Sequence, residues 1–235
     1  MHKQGKISRG AACDLSSCFL CRHCNPAWRE LIALKKTTHL VKKGKSVFSE
    51  GENVTGIYFI YTGSVKVHKE WLGKKELIIR FAKSGDVIGH RGLGISKVYP
   101  VSATALEDSK VCFVDNQFFE NVLLNNASLG FQFVQLYAAE LQRAELRMRN
   151  LALMEVKGRI AETILELSET FGTGKNKYIA LPVTRQDIAA YAGTTYETVF
   201  KMMRHLVHDK TISVSGKSIR VHDMAKLKGI VNKSK

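Results

Sequence analysis

The chain is poor in proline and cysteine, with 3 and 5 among 235 residues, and short of acidic side chains, with 21 Asp and Glu against 36 Lys and Arg. Three prolines and 45% hydrophobic residues exclude a collagen-like or disordered polymer. No apolar run approaches the ~18 residues of a membrane span. No apolar segment follows the basic start Met1–Gly10, so the chain reads as lacking a secretion signal. Four of the five cysteines fall at 13, 18, 21 and 24 and the fifth at 112. An odd, clustered set without a signal peptide points to cytoplasmic thiols or metal ligands rather than a disulfide framework. There is no P-loop, G-x-G-x-x-G, G-x-S-x-G or H-E-x-x-H. Asp86, His90 and Glu107 are not set at catalytic spacing, so the expectation is a protein that is not an enzyme.

What is present in excess is positive charge, +15 with an isoelectric point near 9.7. That implies a polyanionic partner, nucleic acid first and anionic membrane second. A membrane-surface adaptor would need a long basic amphipathic helix, and none is evident. The charge is uneven: Lys175–Lys235 holds 12 basic and 4 acidic residues, net +8. The polyanion site therefore belongs to the C-terminal part.

The patterning divides the chain into four parts. Residues 1–25 form a polar, cysteine-rich arm. Asn25-Pro26 then caps and opens a short helix, with Trp28, Leu31, Ile32 and Leu34 on its apolar side. From Thr38 to Asp115 short β-rich runs alternate with glycine turns: Ile57–Tyr61, Val65–His68 and Leu77–Phe81. These predict a small β-roll within residues 26–126. Val134, Tyr137, Leu141, Ala144, Met148 and Leu151 follow at heptad spacing on a helix over 127–152, roughly 37 Å long. Leu129, Phe133 and Leu136 lie on another face, so the helix needs two neighbours. The roll supplies one, and a second copy of the chain the other, giving a homodimer; packing of the whole stripe inside one chain is the alternative. Val156–Phe171 is a further amphipathic helix.

Residues 153–235 hold the element that reads DNA. Thr184-Arg-Gln-Asp187 has the form of a capping box. Gly193 suits a tight turn, and Thr195 can cap a second helix with Val199, Met202, Met203 and Leu206 on its apolar face. Two short helices about a glycine turn, followed by Thr211–Val214 and Ser218–Val221 around Ser215-Gly216-Lys217, make a winged helix-turn-helix. The second helix would enter the major groove by its N-terminal end, exposing Thr195, Tyr196, Glu197, Phe200 and Lys201 to bases. Glu can accept from cytosine N4 and Lys can donate to guanine. Thr184, Arg185, Arg204, Lys217 and Arg220 would hold phosphates. The competing reading of Glu197 and Lys201 is a solvated i,i+4 ion pair. The class expected is α+β: a jelly-roll-like β-roll, a long dimerisation helix and a winged helix-turn-helix.

Thr184-Arg-Gln-Asp-Ile-Ala through Tyr196-Glu-Thr-Val, then Ile212-Ser-Val-Ser-Gly-Lys, resembles the winged helix-turn-helix of the Crp/Fnr family of bacterial transcription regulators. Gly51-Glu52, Tyr58-Phe-Ile-Tyr-Thr-Gly-Ser-Val-Lys-Val and Gly85-Asp-Val-Ile-Gly89 resemble that family's cyclic-nucleotide-binding roll. The resemblance covers roughly residues 38–222. It implies a homodimer on a near-palindromic duplex site, in contact with RNA polymerase. The family usually has Arg where this chain has Lys201, often Arg or Val at Tyr196, and rarely a residue as bulky as Phe200, so the half-site cannot be copied from its best-known members.

Members that bind cyclic AMP have a ribose-binding Glu after Phe/Ile-Gly, and an Arg-Ser pair for the phosphate. Here Gly89 is followed by His90 and Arg91, and the Arg-Ser pair falls at Tyr99-Pro100. The resemblance thus implies a degenerate pocket, Gly89, His90, Arg91 and Tyr99, without cyclic AMP. His90 and Arg91 are expected on a surface loop, with some other anion or small effector as the alternative. Cys18-x2-Cys21-x2-Cys24 has the spacing that wraps three corners of a 4Fe–4S cube, the fourth thiolate coming from elsewhere. Cys112 is the candidate, and it resembles the remote cluster cysteine of oxygen-sensing Fnr proteins. Those proteins have a wider gap before the third arm ligand and lack the extra Cys13, which is an alternate ligand. Zinc, a thiol–disulfide switch, or a buried Cys112 with no metal role remain open.

Overall fold

The structure, a computed structural model, describes residues 7–8, 14, 16–71, 75–174, 176–181 and 183–234. It contains two compact units, Met1–Lys69 with Ile79–Ala139, and Glu70–Ile78 with Glu140–Lys235.

The first unit begins with β1 (Ile7–Ser8), α1 (Phe19–His23), a 3-10 turn (Pro26–Trp28) and α2 (Arg29–Lys35). There follow β2 (Thr37–Val41), β3 (Ser46–Phe48), β4 (Gly56–Thr62), β5 (Ser64–Trp71), β6 (Lys75–Lys83), β7 (Val87–Ile88), a 3-10 turn (His90–Leu93), β8 (Ser102–Ala105) and β9 (Ser109–Asp115). Then come α3 (Asn116–Leu124) and the long α4 (Ala127–Leu153), whose residues fall in both units. The three β-rich runs read from the sequence lie inside β4, β5 and β6. The strands form two antiparallel sheets, ordered β1-β2-β9-β4-β7 and β3-β8-β5-β6. Between β4 and β5 the chain turns at Gly63, φ +97°, where a Cβ would lie 2.2 Å from the Ser109 hydroxyl. Only glycine satisfies both that dihedral and that approach.

Strand β9 alternates between two cores, as a period of two requires. Val111 joins Phe48, Ile60, Val65, Ile88 and Tyr99 between the sheets. Cys112 and Val114 join Ile57, Phe59, Phe118, Phe119, Leu129 and Phe133 under the helices. Leu129 and Phe133 are thus the roll-facing side of α4, as their spacing predicted. The heptad positions face away: Val134, Leu141 and Met148 are 63%, 61% and 66% exposed. Tyr137 and Ala144 are also exposed, and Leu151 is half-buried.

The arm departs from the expectation. Its described part is not a polar extension but part of the second core: Cys18, Leu20, Cys21 and Cys24 are all buried there. Asn25 does cap, accepting from the Ala27 N–H at 3.1 Å. It opens a 3-10 turn before α2, on which Ile32 is buried and Leu34 is exposed.

The second unit continues with α5 (Val156–Phe171), α6 (Arg185–Ala192), α7 (Tyr196–His208), β10 (Ile212–Ser215), β11 (Ser218–Val221) and α8 (Met224–Lys233). At Gly158 a Cβ would lie 2.3 Å from that of Ser234, so α5 and the end of α8 meet closely. Arg147 donates to the Ile78 carbonyl at 2.5 Å and the Tyr191 carbonyl at 2.6 Å, with its guanidinium 3.7 Å from the Tyr191 ring centroid. The Tyr191 hydroxyl donates to Glu166 at 2.5 Å. Burial raises the carboxyl pKa of Glu166 despite that bond.

Phe119 is fully buried and touches the rings of Phe59 and Phe133. Phe119→Ala should cost about 3–5 kcal/mol, read as a lowered urea midpoint, whereas Leu34→Ala should stay within about 0.5 kcal/mol of the parent.

Candidate nucleic-acid interface and cysteine core

The helix-turn-helix forms for local reasons. Thr184 Oγ1 accepts from the Asp187 N–H at 3.0 Å, and Asp187 Oδ2 accepts from the Thr184 N–H at 3.0 Å, so the capping box is complete. The helix α6 stops at Gly193, φ 62° and ψ 48°, the left-handed conformation glycine adopts without strain. Thr195 caps α7 by accepting from the Thr198 N–H at 3.3 Å. Val199, Met203 and Leu206 hold α7 to the core, and Met202 is half-buried.

The opposite face is open. Thr195, Tyr196, Glu197, Phe200, Lys201 and Arg204 are all exposed. The Glu197 carboxyl is held below the usual carboxylate range by its own backbone N–H and the Thr195 hydroxyl. Arg185, Phe200 and Arg204 line one groove of about 310 Å³ with Met203, Val207, His208 and Val214. Strands β10 and β11 pair with Ser213 opposite Arg220 and Ser215 opposite Ser218, which puts Lys217 exposed at the tip of the wing. Thr184 and Arg220 are half-buried. The residues expected to meet bases therefore share one helix face, with Arg185 and Arg204 beside it.

Cys18, Cys21, Cys24 and Cys112 are in the reduced state, none more than 4% exposed, in one apolar core. Cys112 lies opposite both Thr38 and Phe59 in the sheet, on the face that shares a core with the arm. Cys13 lies outside the described residues. Cys18 Sγ accepts from the Cys21 N–H at 3.4 Å. The interaction with the Cys21 side chain, and secondarily the Cys21 N–H and Lys36, pushes the Cys18 thiol pKa down to about 6 against the opposing effect of burial. Burial raises that of Cys24, partly offset by Arg29. Among the described residues no three His, Cys, Asp or Glu side chains are gathered as one ion would gather them. The four sulfur atoms nevertheless share one apolar core, with the cations of Arg29 and Lys36 bearing on Cys24 and Cys18. The same core ties the arm to α4. Phe19 packs edge-on against Phe133, centroids 5.0 Å apart, and the Asn25 N–H donates to Asn126 Oδ1 at 2.9 Å.

The region of the degenerate pocket corrects the surface-loop expectation for His90. His90 is buried on a 3-10 turn, and its carbonyl accepts from the Tyr137 hydroxyl at 2.6 Å. Arg91 is half-buried. Tyr99 is core: its ring stacks on Phe48 at 4.2 Å, and its hydroxyl donates to the Gly56 carbonyl at 2.8 Å. Gly89, φ 82°, turns the backbone beside these rings. Tyr99, which the resemblance places where the Arg-Ser pair falls, is thus engaged in the aromatic core. The helix α1 and the Arg147–Tyr191–Glu166 cluster carry no periodic signal. The helix α8 could have been found from its Asp223 cap and the Leu227, Ile230, Val231 spacing.

A sensor-like β-roll followed by a winged helix-turn-helix defines the class of DNA-binding transcription regulators. A family model of the cyclic nucleotide-binding domain matches residues 38–126, and one of the Crp-like helix-turn-helix domain matches residues 158–230. The chain belongs to the Crp/Fnr family. It is similar to the anaerobic regulatory protein of Bacillus subtilis (28% identity, 81% of this chain and 82% of that one). It is also similar to the transcriptional regulatory protein btr of Bordetella pertussis (28% identity, 98% of each). The solved structure of FixK2 from Bradyrhizobium japonicum matches with a TM-score of 0.74 and 26% identity, over 83% of this chain and 96% of that one. No helix among the described residues is long and apolar enough to cross a membrane.

Thr184→Ala removes one arm of the capping box and should lower stability by about 1 kcal/mol, with Thr184→Ser near neutral. Chemical denaturation of the two variants checks this.

Proposed function

We propose that this regulator is a redox-responsive homodimer whose hold on DNA is set by the N-terminal cysteines. One observation carries the reading: Cys18, Cys21, Cys24 and Cys112 are buried in the core that also holds Leu129 and Phe133 of α4. Cys18, Cys21, Cys24 and Cys112 are the residues that would hold a 4Fe–4S cluster, with Cys13 as the alternate. When bound, the cluster supplies a redox-active iron centre fixed by four thiolates. The protein's own part is mechanical. With the arm fastened, Phe19 bears on Phe133 and Asn25 holds Asn126, which positions the first turns of α4. With the arm released, those contacts go and the first turns of α4 lose the arm's share of their packing, keeping only that of the roll. The exposed stripe of Val134, Leu141, Ala144 and Met148 supports pairing with a second copy, because an apolar stripe of this length is costly in water. RNA polymerase is the third partner this reading implies. A monomer engages one half-site and makes too few phosphate contacts for tight binding.

Anaerobically prepared protein should be brown, carry iron and sulfide, sediment as a dimer and prefer one operator over random duplex. Cys112→Ser should lose the iron and the dimer together. Colourless, iron-free protein under those conditions overturns the iron reading and leaves the DNA reading standing.

Arg204 and Lys217 are assigned to phosphates. Replacing either by alanine should weaken binding to all duplexes alike and lower the slope of log affinity against log salt by about 0.9. A salt titration of operator binding measures this.

A further inference from the structure

The open face of α7 carries two aromatic rings whose exposure the protein's own packing does not explain. Tyr196 and Phe200 are one turn apart, with ring centroids 6.4 Å apart and planes within 16° of parallel. They are 42% and 43% exposed, while Val199, Met203 and Leu206 fill the core side. The Arg185 guanidinium stands over the Phe200 ring, 5.7 Å from its centroid. Phe200 is therefore braced by Tyr196 and by Arg185. A braced ring loses little rotamer freedom on binding. Its neighbours Glu197 and Lys201 are polar, exposed and able to hydrogen-bond. The face thus offers one apolar feature among charged ones.

The major groove of duplex DNA offers a matching contrast. Its edges are donors and acceptors, except for the C5-methyl group of thymine. We infer that Phe200, braced by Tyr196 and Arg185, is a specificity-determining residue that reads a thymine C5-methyl in each half-site. The inference rests on the DNA reading of α7 and adds to it the chemical group recognised. Burial of one methyl group against an aromatic ring predicts a selectivity of about three- to tenfold per half-site for thymine over the same base without its methyl.

The test uses the full-length protein prepared anaerobically. An operator is first selected from random duplexes, and each thymine in turn is then replaced by deoxyuridine. That exchange removes the methyl and keeps the base pairing and the O4 acceptor. The expected result is one thymine per half-site at which deoxyuridine weakens binding about three- to tenfold. Phe200→Ala should bind thymine and deoxyuridine alike at that position, yet still discriminate at the others. Phe200→Leu should keep part of the preference. Deoxyuridine tolerated at every position by the parent protein, with the operator still preferred over random duplex, overturns the inference alone. A preference that survives in Phe200→Ala overturns the assignment to Phe200. Failure to select any operator overturns the DNA reading and this inference with it.

Discussion

The core beneath the helices is the interaction on which the rest of the first unit depends. It joins three pieces that are far apart in sequence: the arm at Cys18–Cys24, strand β9 at Cys112, and α4 at Leu129 and Phe133. Apolar burial in such a core is non-directional, so the pieces are held together only while all of them are present. Thiols suit the site when neutral, since a protonated cysteine behaves as a small apolar residue. Thiolates do not suit it unless something compensates their charge. Arg29 and Lys36, close to Cys24 and Cys18, are the groups that bear on that balance. On the proposed reading, the state of four sulfur atoms is thereby converted into the tightness of packing at the start of α4.

The other end of α4 is anchored differently. Arg147 spans two backbone carbonyls and lies over the Tyr191 ring, while Asn150 donates to both carboxylate oxygens of Glu162 at 2.9 Å. Arg159 donates to the Ala192 carbonyl at 2.8 Å and the Met154 carbonyl at 2.6 Å. These are directional contacts, several of them charge-assisted. They fix the last turns of α4 and the start of α5 against α6, the first helix of the DNA-reading pair. One helix thus begins in an apolar core and ends in a polar network. A change at its beginning changes how well it is packed. Its end holds geometry and admits little slack.

Much of this was legible in the sequence. The β-runs, the helix over Val156–Phe171, the capping box at Thr184 and the wing could be read because each rests on local chemistry or a short period. The two faces of α4 were legible because Phe133 and Val134 belong to stripes of different phase. The burial of the arm was not legible. Cys18, Leu20 and Cys21 sit among polar neighbours with too short a run to show a period, and α1 has only five residues. Its burial is decided by a surface built from β4, β9 and α4, a tertiary effect that local composition does not encode. His90 failed as a surface loop for the same reason: Tyr137 comes to it from a helix 47 residues away.

The alternation along β9 links the core between the sheets to the cysteine arm. Successive side chains point to opposite faces of a strand, so Val111 and Cys112 address different cores. On the inner face, Tyr99 stacks on Phe48 beside Gly89, and Tyr58 stacks on Phe48 as well, with centroids 5.5 Å apart. A ring buried in this way is worth roughly 1.5–3 kcal/mol relative to its exposed state, and expelling it to admit a ligand would forfeit that. These stacked rings make the inner face a closely packed aromatic cluster. On the proposed reading, a signal on the outer face needs such bracing, because Cys112 registers the arm through β9, which is paired on both sides. On the proposed reading, the aromatic rings of the inner core brace the same strand whose outer face carries the Cys112 thiol.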